Sequence, residues 1–380
     1  MTVKMILRIR GKLFWPALLP GVLALVLFAG KGTAQTTKDL PPPPPVPRLK
    51  PTPTPTPPPQ EVLDVVRVTS NLVMVPVSVT NSQGEAVQGL TIKDFKLKEE
   101  GRDEQITEMG DPEQVPLDIA LLFDISSSVS QKGFFAFQQN AAAAFLKQVM
   151  KPTDKAAVFG ISAEPILIQG LSTAESAAAK ILTIPPATSP VPTAFYDTVA
   201  AAAQYLTENS PGRHRRVIIV ISDGDDNFSN RIREYSIADA QANLRGEIPA
   251  SGVLAALQAK HRVAVQDTQK AVQKADAIFY SVNPGGPSVR MNVISSRAQA
   301  GMQVVADATG GTAFLPDSDK DLEKVFRQVA AELRGQYLLQ YYGNSEATPG
   351  QFRRIQVTIP AQSELRVRAR QGYYAKAGEK

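Results

Sequence analysis

The sequence predicts an α/β fold: a doubly wound, mostly parallel sheet inserted in a small β-sandwich built from N- and C-terminal strands. Three observations carry this expectation. Residues 119–123 and 217–221 are short, uninterrupted apolar runs bounded by polar residues, the pattern of strands buried on both faces. Between such runs, apolar residues recur at helical spacing, as at Phe134, Phe137, Ala141, Phe145 and Val149. At both ends of the chain the pattern changes to alternating, β-branched segments.

Composition narrows the classes. The 380 residues suffice for one large domain plus a smaller one. The formal charge of +5 comes from Lys4, Arg8, Arg10, Lys12 and Lys31 alone, and without residues 1–34 the chain is near neutral. The basic balance is therefore no argument for nucleic acid as a partner. No cysteine is present, which excludes disulfides, thiol catalysis, cysteine-ligated zinc and a lipid-anchored cysteine.

Taken in order, residues 1–34 have a basic start, an apolar stretch over 13–30 and small residues at Gly32, Thr33 and Ala34. That is the layout of a secretory signal peptide, with cleavage expected after Ala34. The rival is an uncleaved anchor helix. Against it, the apolar stretch is only marginally long for a span of ~20 residues, and Pro16 and Pro20 interrupt it. Residues 35–60 form a proline-rich linker, whose segment 41–59 should run as polyproline II and reach roughly 60 Å at ~3.1 Å per residue. A stiff spacer is the expectation; a docking motif for a proline-binding module is the alternative.

Residues 61–114 are expected to supply the N-terminal part of the sandwich, with strands at 72–79 and 94–97 and a turn at Asn81, Ser82, Gln83 and Gly84. Residues 336–375 supply the rest, with strands at 336–342, 353–359 and 365–369. Neither half can cover its own apolar face, so the two are expected to pair.

Residues 115–335 make the doubly wound domain. After the strand ending at Asp124 come a helix, a strand at 157–161, an alanine-rich helix at 194–206, and the strand at 217–221. A strand at 277–282, a short one at 312–315 and a last helix bearing Leu322, Val325, Phe326, Val329 and Leu333 complete it. Residues 231–274 exceed what one crossover helix requires and read as an insertion, either a wall of the neighbouring site or a solvated excursion.

The chemistry concentrates where the two buried strands end. Asp124, Ser126 and Ser128 follow the first, Ser222, Asp223 and Gly224 follow the second, and Thr193 stands just before a helix. Carboxylate and hydroxyl oxygens are hard ligands of the kind Mg²⁺ and Ca²⁺ take, and the carboxyl ends of parallel strands are where such folds bind ligands. A helix-capping loop would account for Asp124 and the serines alone, but not for Thr193 and Asp223 in matching contexts.

This constellation resembles the metal-ion-dependent adhesion site of von Willebrand factor A domains. The flanks, including Gly335-Gln336-Tyr337-Leu338-Leu339, resemble a narrower group, the VWFA-related domain family of exported bacterial proteins, over roughly residues 62–374. The resemblance implies that Ser126 and Ser128 ligate a divalent cation directly, with Asp124, Thr193 and Asp223 acting directly or through water. Mg²⁺ is the expected ion, with Ca²⁺ or Mn²⁺ as alternatives. Pro192 departs from the pattern by standing where glycine is expected, which narrows that loop's freedom.

Rival chemistries fare worse. Residues 223–227 resemble the start of an EF-hand, but Phe228 replaces the required glycine and no glutamate closes the loop. Asp225 and Asp226 remain candidate ligands of a second ion. No Gly-x-Ser-x-Gly, Walker or dinucleotide pattern occurs. His214 and His261, the only histidines, are expected at the surface, and Arg213, Arg215 and Arg216 are expected to be solvated at a strand entry.

The expected function is that of an exported binding protein rather than an enzyme, periplasmic or extracellular. Neutral hydroxyls and outer carboxylates leave a divalent ion short of negative charge, so the ion should favour a carboxylate on a protein or cell-surface partner. The alternative is a structural or assembly subunit of the cell envelope, its metal purely structural.

Overall fold

The structure is a computed structural model that describes residues 71–126, 135–247, 249–285, 293–317, 319–343 and 347–376. The expected signal peptide, the proline-rich linker, the first ten residues of the N-terminal β part, Phe134 and Ser128 lie outside the described residues. Among the described residues, no helix is long and apolar enough to cross a membrane.

The N-terminal flank contributes β1 (Leu72–Thr80), β2 (Lys96–Glu99), β3 (Arg102–Glu104) and β4 (Glu108–Gly110). The doubly wound domain follows with β5 (Leu117–Asp124), α1 (Phe135–Val149), β6 (Lys155–Ile161), β7 (Ile166–Ser172) and α2 (Ala174–Leu182). Next come α3 (Phe195–Asn209), β8 (Arg215–Ile221), α4 (Asn230–Leu244), α5 (Ala250–Lys274) and β9 (Ala277–Val282). It closes with α6 (Val293–Thr309), β10 (Ala313–Phe314) and α7 (Asp319–Arg334). The C-terminal flank returns as β11 (Tyr337–Tyr342), β12 (Phe352–Thr358), β13 (Arg366–Ala369) and β14 (Gly372–Tyr374).

The central sheet has the order β10-β9-β8-β5-β6-β7. All pairings are parallel except β6 with β7, which is antiparallel and irregular in register. β5 lies in the middle with all eight residues buried. Its alternation feeds two cores. Ile119, Leu121 and Phe123 pack with Phe145, Ile181 and Phe326 from α1, α2 and α7. Ala120 and Leu122 face Val199, Val272 and Val305 from α3, α5 and α6. Each fully buried leucine there stabilises the fold by about 2 kcal/mol relative to exposure.

The flanks form two further sheets, β13-β1-β11-β4 and β14-β12-β2-β3, and each draws strands from both ends of the chain. Val75 and Val77 of β1, Leu97 of β2, Leu339 and Tyr341 of β11, and Ile355 and Val357 of β12 share one core between them. The strand expected at 94–97 starts later. Thr91 donates its backbone N–H to Asp94 Oδ2 at 2.7 Å, closing a short 3₁₀ turn that leaves Phe95 buried ahead of β2.

Polar contacts lock the sandwich to the larger domain. Glu332 of α7, almost wholly buried, pairs with Arg368 of β13 at 2.7 Å. Arg370 pairs with Asp276 and donates to the Met74 carbonyl at 2.5 Å. The segment expected as an insertion is a helical hairpin, α4 and α5, whose second helix ends on the central sheet through Ala264, Val265 and Val272. The crossover helix is thus the end of α5 itself.

Candidate metal centre

β5 and β8 are neighbours in the sheet, so Asp124 and the Ser222–Asp223 pair arrive together at its carboxyl edge. Asp124 is completely buried. Its Oδ1 accepts the Ser126 backbone N–H at 2.8 Å, and its Oδ2 accepts the Ser222 hydroxyl at 2.6 Å. Ser222 Oγ in turn accepts the Gly224 N–H at 2.9 Å, which closes the turn after β8. Gly224 has φ +74°, a left-handed backbone in which a side chain is disfavoured.

Burial pushes the Asp124 carboxyl up to about 6, and the neighbouring Asp223 adds to the rise, while hydrogen bonds from Ser126 and Ser222 oppose it. Burial and Asp223 also raise Asp225, and Arg297 offsets part of that. The crest therefore concentrates carboxylates whose mutual repulsion a cation would relieve.

Thr193 is buried and sits against the loop that follows β8. Its N–H donates to Asn227 Oδ1 at 2.9 Å, and its carbonyl accepts the N–H groups of Asn227 and Phe228 at 3.1 and 3.0 Å. α3 begins directly after it with Ala194 at the cap position, a residue with no side-chain acceptor. The same loop supplies the missing acceptors: Asp226 Oδ2 takes the Tyr196 N–H at 2.8 Å, and Ser229 Oγ takes that of Asp197 at 3.1 Å. Asp197 Oδ2 reciprocates by accepting the Asn230 N–H at 2.9 Å at the start of α4. A cavity of about 390 Å³ lies beside this junction, lined by Tyr196, Asp197, Ser229, Arg231 and Asp267.

Of the expected ligands, the structure brings Asp124, Ser126 and Asp223 to one edge and places Thr193 on the loop clasped by Asn227. Ser128 lies outside the described residues. Asp226 is committed to capping, since its two oxygens accept from Tyr196, Phe228 and Ser229. The sequence marks neither Ser222 nor Asn227 as a partner of the expected ligands; the fold brings them to Asp124 and Thr193. The only local signal for Ser222 is a hydroxyl immediately before the aspartate that ends a buried strand.

Two expectations are corrected. His261 is buried, with Nδ1 3.3 Å from the Tyr196 hydroxyl, because α5 turns it toward α3. Burial, reinforced by Arg297, pushes its pKa down to about 4. His214 is half-buried against Asp118 at 2.9 Å. Arg215 and Arg216 are also buried rather than solvated, because backbone carbonyls accept hydrogen bonds from their guanidinium groups. Arg215 donates to the carbonyls of Leu333 and Pro112, Arg216 to those of Ala275 and Ser210.

The donor set suits a hard divalent cation: carboxylates at Asp124 and Asp223, hydroxyls at Ser126 and Thr193. Among the described residues, no group of three or more His, Asp or Glu side chains is arranged to hold a metal ion. The sheet order and the single antiparallel edge strand make this a doubly wound, mostly parallel α/β domain, the fold class that the resemblance to von Willebrand factor A domains implies.

No protein-family model matches the sequence, and no curated protein does. Solved von Willebrand factor A structures resemble it at low identity. A von Willebrand factor type A protein from Catenulispora acidiphila is 11% identical, with 76% of this chain and 69% of that one covered and a TM-score of 0.42. The von Willebrand factor domain of a type V pili tip protein from Porphyromonas gingivalis is 11% identical, with 62% and 98% covered and a TM-score of 0.41. Proximal thread matrix protein 1 from the mussel byssus, solved with zinc in its metal-ion-dependent adhesion site, is 15% identical, with 62% and 49% covered and a TM-score of 0.41. This chain spans about half the length of that byssus protein.

Proposed function

We propose that this protein is an exported binding protein of the von Willebrand factor A type that captures a protein or cell-surface partner through a divalent cation. Mg²⁺ is the proposed ion, and an acidic residue of the partner completes its coordination. One observation carries the reading: Asp124 is a fully buried carboxylate, oriented by Ser126 and Ser222 and raised to about 6 by burial and Asp223. A protein that needed no ion there would be more stable with a neutral side chain. Ser126 and Thr193 add neutral oxygens, which leave a divalent charge only partly compensated and favour an incoming carboxylate.

Binding is proposed rather than catalysis because, among the described residues, neither histidine is available to act as a base with the carboxylates of the crest. His214 precedes β8, at the opposite end of the sheet, and His261 is occupied with Tyr196. The test is calorimetric titration of Mg²⁺ and Mn²⁺ into wild type and Asp124→Ala, followed by retention on immobilised polyglutamate with and without EDTA. Wild type is expected to bind the ions and to be retained only when they are present, and the variant to do neither with its circular dichroism unchanged. Equal ion binding by the two proteins overturns the reading.

A further inference from the structure

We propose that Asn227 is the positioning residue for Thr193, setting where that ligand's backbone, and so its hydroxyl, stands for the cation. The inference rests on the metal-site reading above and assigns the loop after β8 a second task. Thr193 lies in the connection from α2 to α3, which has no regular secondary structure and carries Pro185, Pro186, Pro190 and Pro192. Each proline removes a backbone donor, so this stretch has few ways to hold itself in place.

Asn227 supplies the hold from both sides of one residue. Its Oδ1 accepts the Thr193 N–H at 2.9 Å, and its own N–H donates to the Thr193 carbonyl at 3.1 Å. Phe228 N–H adds a second donor to that carbonyl at 3.0 Å. Both peptide groups flanking the Thr193 Cα are thereby fixed, apart from side-chain rotation. The next anchor is one residue on, where the Ala194 N–H donates to the Ser162 carbonyl at 2.8 Å. Asn227 is itself held, because Asp226 accepts from Phe228 and Ser229 on its far side. With Pro192 in the place of the expected glycine, the loop cannot adjust from its own side, and the neighbouring loop sets the position instead.

The test is a double-mutant cycle on Mn²⁺ affinity, using Asn227→Ala, Thr193→Val and the pair, with Asn227→Asp as the variant that retains the acceptor. Asn227→Ala should weaken Mn²⁺ binding roughly tenfold or more, the usual size for losing a partner that orients a ligand. Asn227→Asp should bind at least as tightly as wild type. Because Asn227 acts through Thr193, the double variant should bind no more weakly than Thr193→Val alone. Full additivity, or an Asn227→Ala protein that binds like wild type, overturns the inference while leaving the metal site standing. Absence of Mn²⁺ binding by wild type overturns the metal site and this inference together. Should Asn227→Ala fail to fold, amide exchange of Thr193 in metal-free wild type decides by NMR: protection is expected, and exchange at the rate of an unbonded amide overturns it.

Discussion

Replacing Asp124 by asparagine should stabilise the metal-free protein and abolish its response to cations. The side chain is fully buried, and its pKa stands at about 6 against an ordinary 3.8. A carboxyl whose pKa is raised on folding binds more protons in the folded state between roughly pH 4 and 6. Stability of the metal-free protein therefore falls as pH rises through that window, and at pH 7 the whole cost is present. About two units at ~1.4 kcal/mol each come to roughly 3 kcal/mol. Asparagine keeps an acceptor for the Ser126 N–H and removes the charge facing Asp223, so a gain of about 1–3 kcal/mol is expected after imperfect geometry is allowed for. The assay is urea unfolding at pH 7 in EDTA, repeated with Mn²⁺. Wild type should gain about 2.7 kcal/mol at a free ion concentration of ~100 Kd, and Asp124→Asn nothing. A variant less stable than wild type in EDTA would refute the claim that the ionised carboxylate is kept at the expense of the fold.

Two further outcomes test the surroundings. His261, lowered to about 4 by burial and Arg297 and faced by Tyr196, must be neutral in the folded chain. Its contribution is fully present above about pH 6.5 and is lost as pH falls toward 4, so His261→Asn should be about 2 kcal/mol less sensitive than wild type to a change from pH 7 to 5. Parallel urea midpoints for the two proteins would contradict this. Arg368→Met strands the buried carboxylate of Glu332 and should cost about 3–5 kcal/mol, whereas Arg368→Met with Glu332→Leu should recover most of it. Equal destabilisation by the single and double variants in urea unfolding would show that the pair does not join the sandwich to the larger domain.

The strands that carry the site were legible because their signal is local. β5 and β8 are buried on both faces, so their sequences read as unbroken apolar runs, and the polar residues at their ends mark the crest. The pairing of the two flanks into a sandwich also followed from the chain alone, since neither half has enough strands to cover its apolar side. β7 left no such trace. It is a half-exposed edge strand with Gly170 near its end and irregular register against β6, so its alternation is diluted. α2, at nine residues, is too short for its period to stand out.

What the sequence determined by itself was therefore the residue types at the crest: Asp124 and Ser126 on one strand end, Asp223 on another, Thr193 before a helix. Only the tertiary structure decided which groups meet them. Ser222 reaches Asp124 across 98 positions, and Asn227 reaches Thr193 across 34. It also buried Arg215 and Arg216, whose charge reads as solvated until the carbonyls of Leu333, Pro112, Ala275 and Ser210 are brought round them. The physical reason is the same in each case. Periodicity records how an element is covered and is written in adjacent residues, whereas a hydrogen bond depends on a partner that an intervening helix or strand must first carry into range.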